Sequence, residues 1–359
     1  MSTAFFTATS QDCLLAENET THNRRILERW CPFINERRAA GMTPTSIAKE
    51  IKQRVSKSMS KVKPLVNALI EFQRLPKSLA VAMELGHLDP DRIVAIGNKL
   101  RGVADEALDA IDEDFAQYLR PTLADEALVL ARSMADHLGK LILEHDPGKR
   151  EEPKASESKG KVHVDPDQRF RFSFSLPPVE GAAAYANLQA FCNKHGCGIG
   201  EAFQRIVAGE KRPKAVLNVY ASPEGIAYLP GPGWLSDADA RRLHLTKKQV
   251  ISELISTLKY QPRKDIRAFV KGRDGSCRFP GCDVDALHCQ LDHAVPHAKG
   301  GATSARNLHL LCQHHHNMKT NGEVSVVLGS DGTDTWTLAD GSTAVTLPSG
   351  PLAGITDGG

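Results

Sequence analysis

A chain of 359 residues with 41% apolar and 25% charged side chains can build two or three globular cores, which excludes a disordered chain by composition. Its formal net charge of +2 excludes a bulk polycation, so nucleic-acid binding would have to come from local clusters. No stretch approaches the ~20 apolar residues of a membrane span, and the N-terminus lacks a basic export-signal start, so we expect no membrane association, a cytoplasmic location and reduced cysteines.

From residue 24 to about 145, apolar positions recur at three- and four-residue spacing, as in Val62, Leu65, Val66, Leu69 and Ile70 and again in Leu128, Leu130, Ala131 and Met134. This periodicity predicts amphipathic helices. Pro32, the stretch 41–44, Pro76, Gly86 and Pro121 read as breaks, with helix starts at Thr45 or Ser46 and at Asp89 or Pro90. Residues 1–145 are therefore expected to be a mainly α helical domain. Within it, Ile47, Ala48, Ile51 and Val55, followed by a helix over 61–72, fit a DNA-reading helix-turn-helix, although bundle packing explains the same spacing.

Residues 146–168 are poor in apolar side chains and rich in Pro, Lys, Glu and Ser, the composition of a solvated linker. Residues 169–258 then read as a small α+β module with a connecting helix. Strict alternation over 169–175 predicts a strand, 181–191 a helix, and 216–220 with 226–229 a hairpin completing the same sheet. A helix is expected over 246–258. Cys192-x4-Cys197 with His195 imitates a ligand pair, but no second pair lies near it in sequence, so it is read as structural.

The segment 259–328 is expected to be the functional domain. It opens on a basic run, with Lys259, Arg263, Lys264, Arg267, Lys271, Arg273 and Arg278 in quick succession, and continues into a region dense in Cys and His. Beyond it, 329–359 is expected to hold a terminal hairpin, with 324–328 and 335–338 joined by a Gly-Ser-Asp-Gly turn, and a tail disordered from Pro348.

Two ligand pairs, Cys277-x4-Cys282 and Cys312-x2-His315, have the spacing of a structural zinc site with four ligands and no open position. Cys289 and His314 are the rival ligands. Between and after these pairs stand Asp292, His293, Asn307 and His316, which a structural zinc does not require. A divalent cation held by Asp292 and His316 would polarise a phosphate while His293 takes a proton from water, the chemistry of phosphodiester hydrolysis. Asn307 is suited to fixing the tautomer of His293. Arg273 and Lys319 are candidate DNA phosphate contacts.

Asp292-His293, Asn307 and His316 with the flanking cysteines resemble the motif of the zinc-containing HNH endonucleases. Pro296, Gly300, Gly301, Thr303, Leu308, Leu311 and Lys319 stand at that family's places as well. The resemblance implies a zinc-stabilised ββα-metal fold that cleaves DNA with Mg2+ or another divalent cation. It implies that Asp292 and His316 hold that cation, that His293 is the general base, and that Asn307 orients it or contributes to metal binding. Where some members carry His-His, this chain has Asp292-His293. Upstream, Leu75, Pro76, Leu79, Gly86, Leu88 and the stretch 267–281 resemble bacterial proteins that place a helical domain of unknown function before an HNH domain. The alternative is a zinc-stabilised DNA-binding or regulatory protein without catalysis. No sequence feature sets an oligomeric state.

Overall fold

The helices α1 (Leu14–Ala39), α2 (Pro44–Arg54), α3 (Met59–Phe72), α4 (Pro76–Leu85), α5 (Pro90–Leu100), α6 (Leu108–Tyr118) and α7 (Ala131–His145) begin where local chemistry permits. Thr43 caps α2 by accepting from the Ser46 amide, and Asp89 caps α5 by accepting from Arg92. Proline opens α2, α4 and α5, at a position whose N–H has no helical partner to lose. Gly86 ends α4 with φ +67°, packed so closely that a Cβ would meet the Thr20 carbonyl oxygen at 2.6 Å.

This computed structural model describes residues 4–10, 13–152, 157–243, 245, 251 and 254–354. Helices α1 to α7 share one core, to which α3 contributes Val62, Leu65, Val66, Leu69 and Phe72. Helices α3 and α5 approach at Gly97, where a Cβ would lie 2.3 Å from the Ala68 Cα. Pro32, expected to break the chain, lies inside α1. Its cost, about 3 kcal/mol or more, is outweighed by burial of Ile26, Leu27, Cys31 and Ile34 around it, each aliphatic contributing about 1.5–3 kcal/mol.

The chain divides into two units, one joining 1–147 to 251–359 and the other spanning 148–250. Around and within the second lie α8 (Pro147–Glu151), β1 (Lys159–Val164), β2 (Phe170–Ser175), α9 (Pro178–His195), α10 (Ile199–Val207), β3 (Tyr220–Ala221), β4 (Ala227–Leu229), β5 (Gly233–Trp234) and α11 (Asp237–Ala240). The stretch read as a linker thus contains α8 and β1. Strand β1 pairs antiparallel with β2, Val162 opposite Phe172 and Val164 opposite Phe170, and two valines in a polar stretch were too weak a pattern to read as a strand. The β3–β4 hairpin forms, but it adds β5 to make a separate sheet instead of completing β1–β2. Most of the helix expected over 246–258 lies outside the described residues, and its end, Ser256–Thr257, is a strand.

In the first unit the chain continues as β6 (Ser256–Thr257), α12 (Lys264–Asp274), β7 (Gln290–His293), β8 (Thr303–Ser304), β9 (Leu308–Leu311) and α13 (Gln313–Thr320), then β10 (Ser325–Leu328), β11 (Asp334–Thr337) and β12 (Thr343–Thr346). Strands β7 and β9 pair antiparallel, with Asp292 opposite His309 and His293 opposite Leu308, and α13 follows directly. This is a ββα arrangement. The terminal hairpin gains a third strand, β12, because β11 offers its second edge and Ala344 is buried on it. Of the tail expected to be disordered from Pro348, the stretch through Gly354 is instead bonded to α12, Gly350 N donating to Arg273 O (2.9 Å) and Leu352 N to Gly272 O (2.9 Å), and 355–359 lie outside the described residues. The terminal sheet also joins the helical segment, where Ala127 N donates to Val345 O at 2.6 Å and Val345 N to Asp125 O at 2.8 Å. Among the described residues no helix is long and apolar enough to cross a membrane.

Candidate active site

Cys312 occupies the N-cap of α13, which places His315 one turn along the same helix. Cys277 and Cys282 bracket a turn closed by Cys282 N donating to Phe279 O (3.1 Å), and Arg278 N donates to Leu310 O (2.8 Å), fastening that turn to β9. The Sγ atoms of Cys277, Cys282 and Cys312 and a ring nitrogen of His315 all lie within 4.8 Å of one another. Individual separations are 3.2 Å for Cys312 to His315, 3.5 Å for Cys277 to His315 and 4.0 Å for Cys282 to Cys312. A tetrahedral zinc with bonds of about 2.0–2.3 Å spaces its ligands roughly 3.4–3.8 Å apart, so this group could bind zinc.

A hydrogen bond with Cys289 and burial push the Cys277 thiol far above its ordinary range, and burial pushes Cys282 up to about 12. Burial and the neighbouring His314 lower His315. Three sulfurs and a ring nitrogen converging within 4.8 Å are a donor set that suits a metal, which would bind the thiolate forms. Phe279 stacks on the His315 ring, centroids 4.0 Å apart and planes at 11°. The convergent group contains neither rival: Cys289 lies against Cys277 and donates to Val284 O (3.3 Å), and the His314 ring stands edge-on to that of His315.

One residue further along α13 the chemistry changes. His316 Nε2 lies 3.3 Å from Asp292 Oδ1, and its buried Nδ1 has no partner. The other carboxylate oxygen, Asp292 Oδ2, receives Lys319 Nζ at 2.7 Å and His309 Nε2 at 3.3 Å. Burial opposes ionisation of Asp292, but the hydrogen bonds and positive charges of His309 and Lys319 prevail and hold its carboxyl below the usual range. Lys319 also donates to the His293 carbonyl (2.7 Å), bracing the strand end where Asp292 and His293 meet.

His293 points to the other side of β7, as strand alternation requires. It is buried, and its Nε2 is 2.8 Å from Thr303 Oγ1, which in turn lies 3.4 Å from the Tyr260 carbonyl oxygen. A hydroxyl has one proton: turned to the Tyr260 carbonyl it lets Oγ1 accept from His293 Nε2–H and leaves the lone pair on Nδ1, and turned to Nε2 it gives the opposite tautomer. Burial, with the charges of His297 and Lys319, lowers the His293 pKa despite Asp292 and so favours the uncharged ring.

Asn307 takes a different position from the one expected. It accepts from Val295 N (2.8 Å) and donates to Val295 O (3.0 Å) and Ala302 O (2.8 Å), bracing the loop that follows His293. Gly301 permits this brace, since a Cβ there would lie 1.9 Å from Val295 O. The tautomer partner is Thr303. Arg273, expected at a phosphate, is buried, with its guanidinium donating to Asp274 (2.7 Å) and to the carbonyls of Ala305 and Leu308 (2.8 Å each). Arg278 is buried likewise, so of the basic run Lys259, Arg263, Lys264 and Arg267 are the exposed members.

Residues 275–322 match the HNH endonuclease family model. The chain carries an HNH domain. Over 106 residues the chain is 40% identical to the uncharacterized protein Rv3776 of Mycobacterium tuberculosis (strain ATCC 25618 / H37Rv), covering 29% of this chain and 20% of the relative. It is 44% identical over 91 residues to the uncharacterized proteins MT2160 (strain CDC 1551 / Oshkosh) and Rv2100 (strain ATCC 25618 / H37Rv) of the same species, covering 25% of this chain and 16% of each. The chain thus spans a fifth or less of the length of these curated relatives, with 20% and 16% coverage. No solved structure matches the chain. Sequence reasoning missed Thr303 as a partner of His293 and His309 as a partner of Asp292. The signal for His309 was its place in the β9 strand opposite Asp292; for Asp334, which faces His309 from β11, there was none.

Proposed function

We propose that this protein is a metal-dependent HNH endonuclease that hydrolyses DNA phosphodiester bonds, with Cys277, Cys282, Cys312 and His315 holding a structural zinc. The observation that carries the reading is the 3.3 Å approach of Asp292 Oδ1 and His316 Nε2 at the junction of β7 and α13, beside and separate from the four-donor group. Two protein donors suit a hard cation that keeps several waters, such as Mg2+ or Mn2+. When bound, such a cation supplies charge stabilisation at the scissile phosphate. In the tautomer whose Nε2 proton Thr303 accepts, uncharged His293 offers Nδ1 to take the proton of the attacking water. Lys319 neutralises the second oxygen of Asp292, and Asn307 keeps the loop after His293 in place. The exposed cations near α12 supply sequence-independent attraction for the DNA backbone.

The competing reading, zinc-stabilised DNA binding without catalysis, draws on Lys319, whose ammonium already pairs with Asp292. The deciding experiment incubates zinc-loaded protein with supercoiled, linear, single-stranded and branched DNA, with and without Mg2+ or Mn2+. Divalent-dependent cleavage that falls about 100- to 10,000-fold in His293→Ala supports the nuclease. Binding without cleavage of any form supports the competing reading, and unchanged cleavage by His293→Ala overturns the base assignment.

A further inference from the structure

His309 is wholly buried on β9, and both its ring nitrogens face carboxylates from distant parts of the chain. Nε2 lies 3.3 Å from Asp292 Oδ2 on β7, and Nδ1 lies 2.8 Å from Asp334 Oδ2 on β11. Its ring stacks on buried Trp336, centroids 5.7 Å apart and planes at 12°, so it cannot swing away from this line. Asp334 is itself buried and held by Arg278 Nε at 3.4 Å. Arg278 is fixed in turn, its Nη2 donating to Gly332 O (2.9 Å) and Thr346 O (2.6 Å). A buried polar chain of this length costs desolvation at every link and persists where something is gained from its geometry.

What it fixes is the plane of one carboxylate. With Oδ2 of Asp292 engaged by His309 and Lys319, Oδ1 is left facing His316. We propose that His309, clamped by Asp334 of the terminal sheet, is a positioning residue that presents Asp292 Oδ1 to the divalent cation shared with His316. The terminal sheet is then part of the active-site apparatus, although none of its residues touches the cation. This inference rests on the assignment of Asp292 and His316 as cation donors.

The test measures Mn2+ affinity by calorimetry on zinc-retaining wild type, Asp292→Ala, His309→Gln, Asp334→Ala and Asp334→Asn, alongside DNA cleavage at saturating Mn2+. Outer partners of metal ligands typically tune affinity about 10- to 100-fold. We expect His309→Gln and Asp334→Ala to lose Mn2+ affinity by at least ~10-fold while keeping zinc, with a smaller loss of kcat once Mn2+ saturates. Asp334→Asn, whose amide still bonds His309, should retain affinity within about threefold of wild type, on the same scale. Should His309→Gln lose its zinc, the contrast between Asp334→Ala and Asp334→Asn decides. Wild-type affinity in Asp334→Ala, or equal losses in both Asp334 variants, overturns the clamp. Wild-type protein that binds no Mn2+ beyond its zinc overturns the cation assignment itself, whereas binding lost in Asp292→Ala but intact in His309→Gln overturns the clamp alone.

Discussion

The first two turns of α13 carry two candidate sites built on opposite principles. At Cys312 and His315 the protein supplies four donors within 4.8 Å of one another, leaving no position for water or substrate. At His316 it supplies one imidazole against one carboxylate oxygen, and surrounds that carboxylate with a lysine and a second histidine. A donor set that saturates a cation serves folding, and one that leaves it incomplete serves chemistry. Assigning stability to His315 and reactivity to His316 makes the two separable by substitution, although the residues are adjacent.

Breaking the closed site should have the largest effect. Cys312→Ser removes a donor and leaves three, and structural zinc contributes on the order of 10 kcal/mol or more to folding. We expect loss of bound zinc and of the ordered 275–322 segment, read by metal analysis and near-ultraviolet circular dichroism. Retained zinc with native spectra would mean that another group is the fourth donor. His316→Ala should do the reverse: zinc and melting temperature stay within a few degrees of wild type, while divalent-dependent cleavage falls about 100-fold or more. Loss of zinc in that variant would erase the boundary between the two sites.

Asn307 sharpens the comparison because it was expected to touch His293 or the cation, and it instead holds Val295 and Ala302. An added carboxylate at a cation ligand would strengthen binding of Mn2+. At a brace it sets an anion against two carbonyl oxygens. Asn307→Asp should therefore weaken cleavage at least as much as Asn307→Ala, on the order of tenfold or more through displaced geometry, with no gain in Mn2+ affinity. A tighter Mn2+ complex in Asn307→Asp would return Asn307 to the cation.

What the sequence disclosed follows the same division. Cys277, Cys282, Cys312 and His315 are legible because chelation needs short spacers, and short spacers are a sequence property. The carboxylate, imidazole and amide were legible as a motif, but their partners were not. Thr303 meets His293 from ten positions further along the chain, and Asp334 meets His309 from a separate sheet. Arg273 looked like a phosphate ligand because charge predicts exposure, yet the carbonyls of Ala305 and Leu308 give it a buried use. Pro32 and β1 misled for a related reason, since tertiary packing and strand pairing outweighed local composition.

Cys289 gives the smallest expected effect and the finest test of the ligand count. It is buried beside Cys277, to which it is hydrogen-bonded, and donates its thiol proton to Val284 O at 3.3 Å. Serine has almost the same shape, and its hydroxyl can donate to that carbonyl. Cys289→Ser should therefore keep one zinc per chain, cleave at the wild-type rate, and lose no more than about 1 kcal/mol of stability in urea unfolding. The contrast with Cys312→Ser matters more than either value alone, because both variants exchange a buried sulfur for oxygen within one cluster. If both lose zinc alike, donor identity is not set by the convergence of four atoms, and the closed site must be redrawn around Cys289.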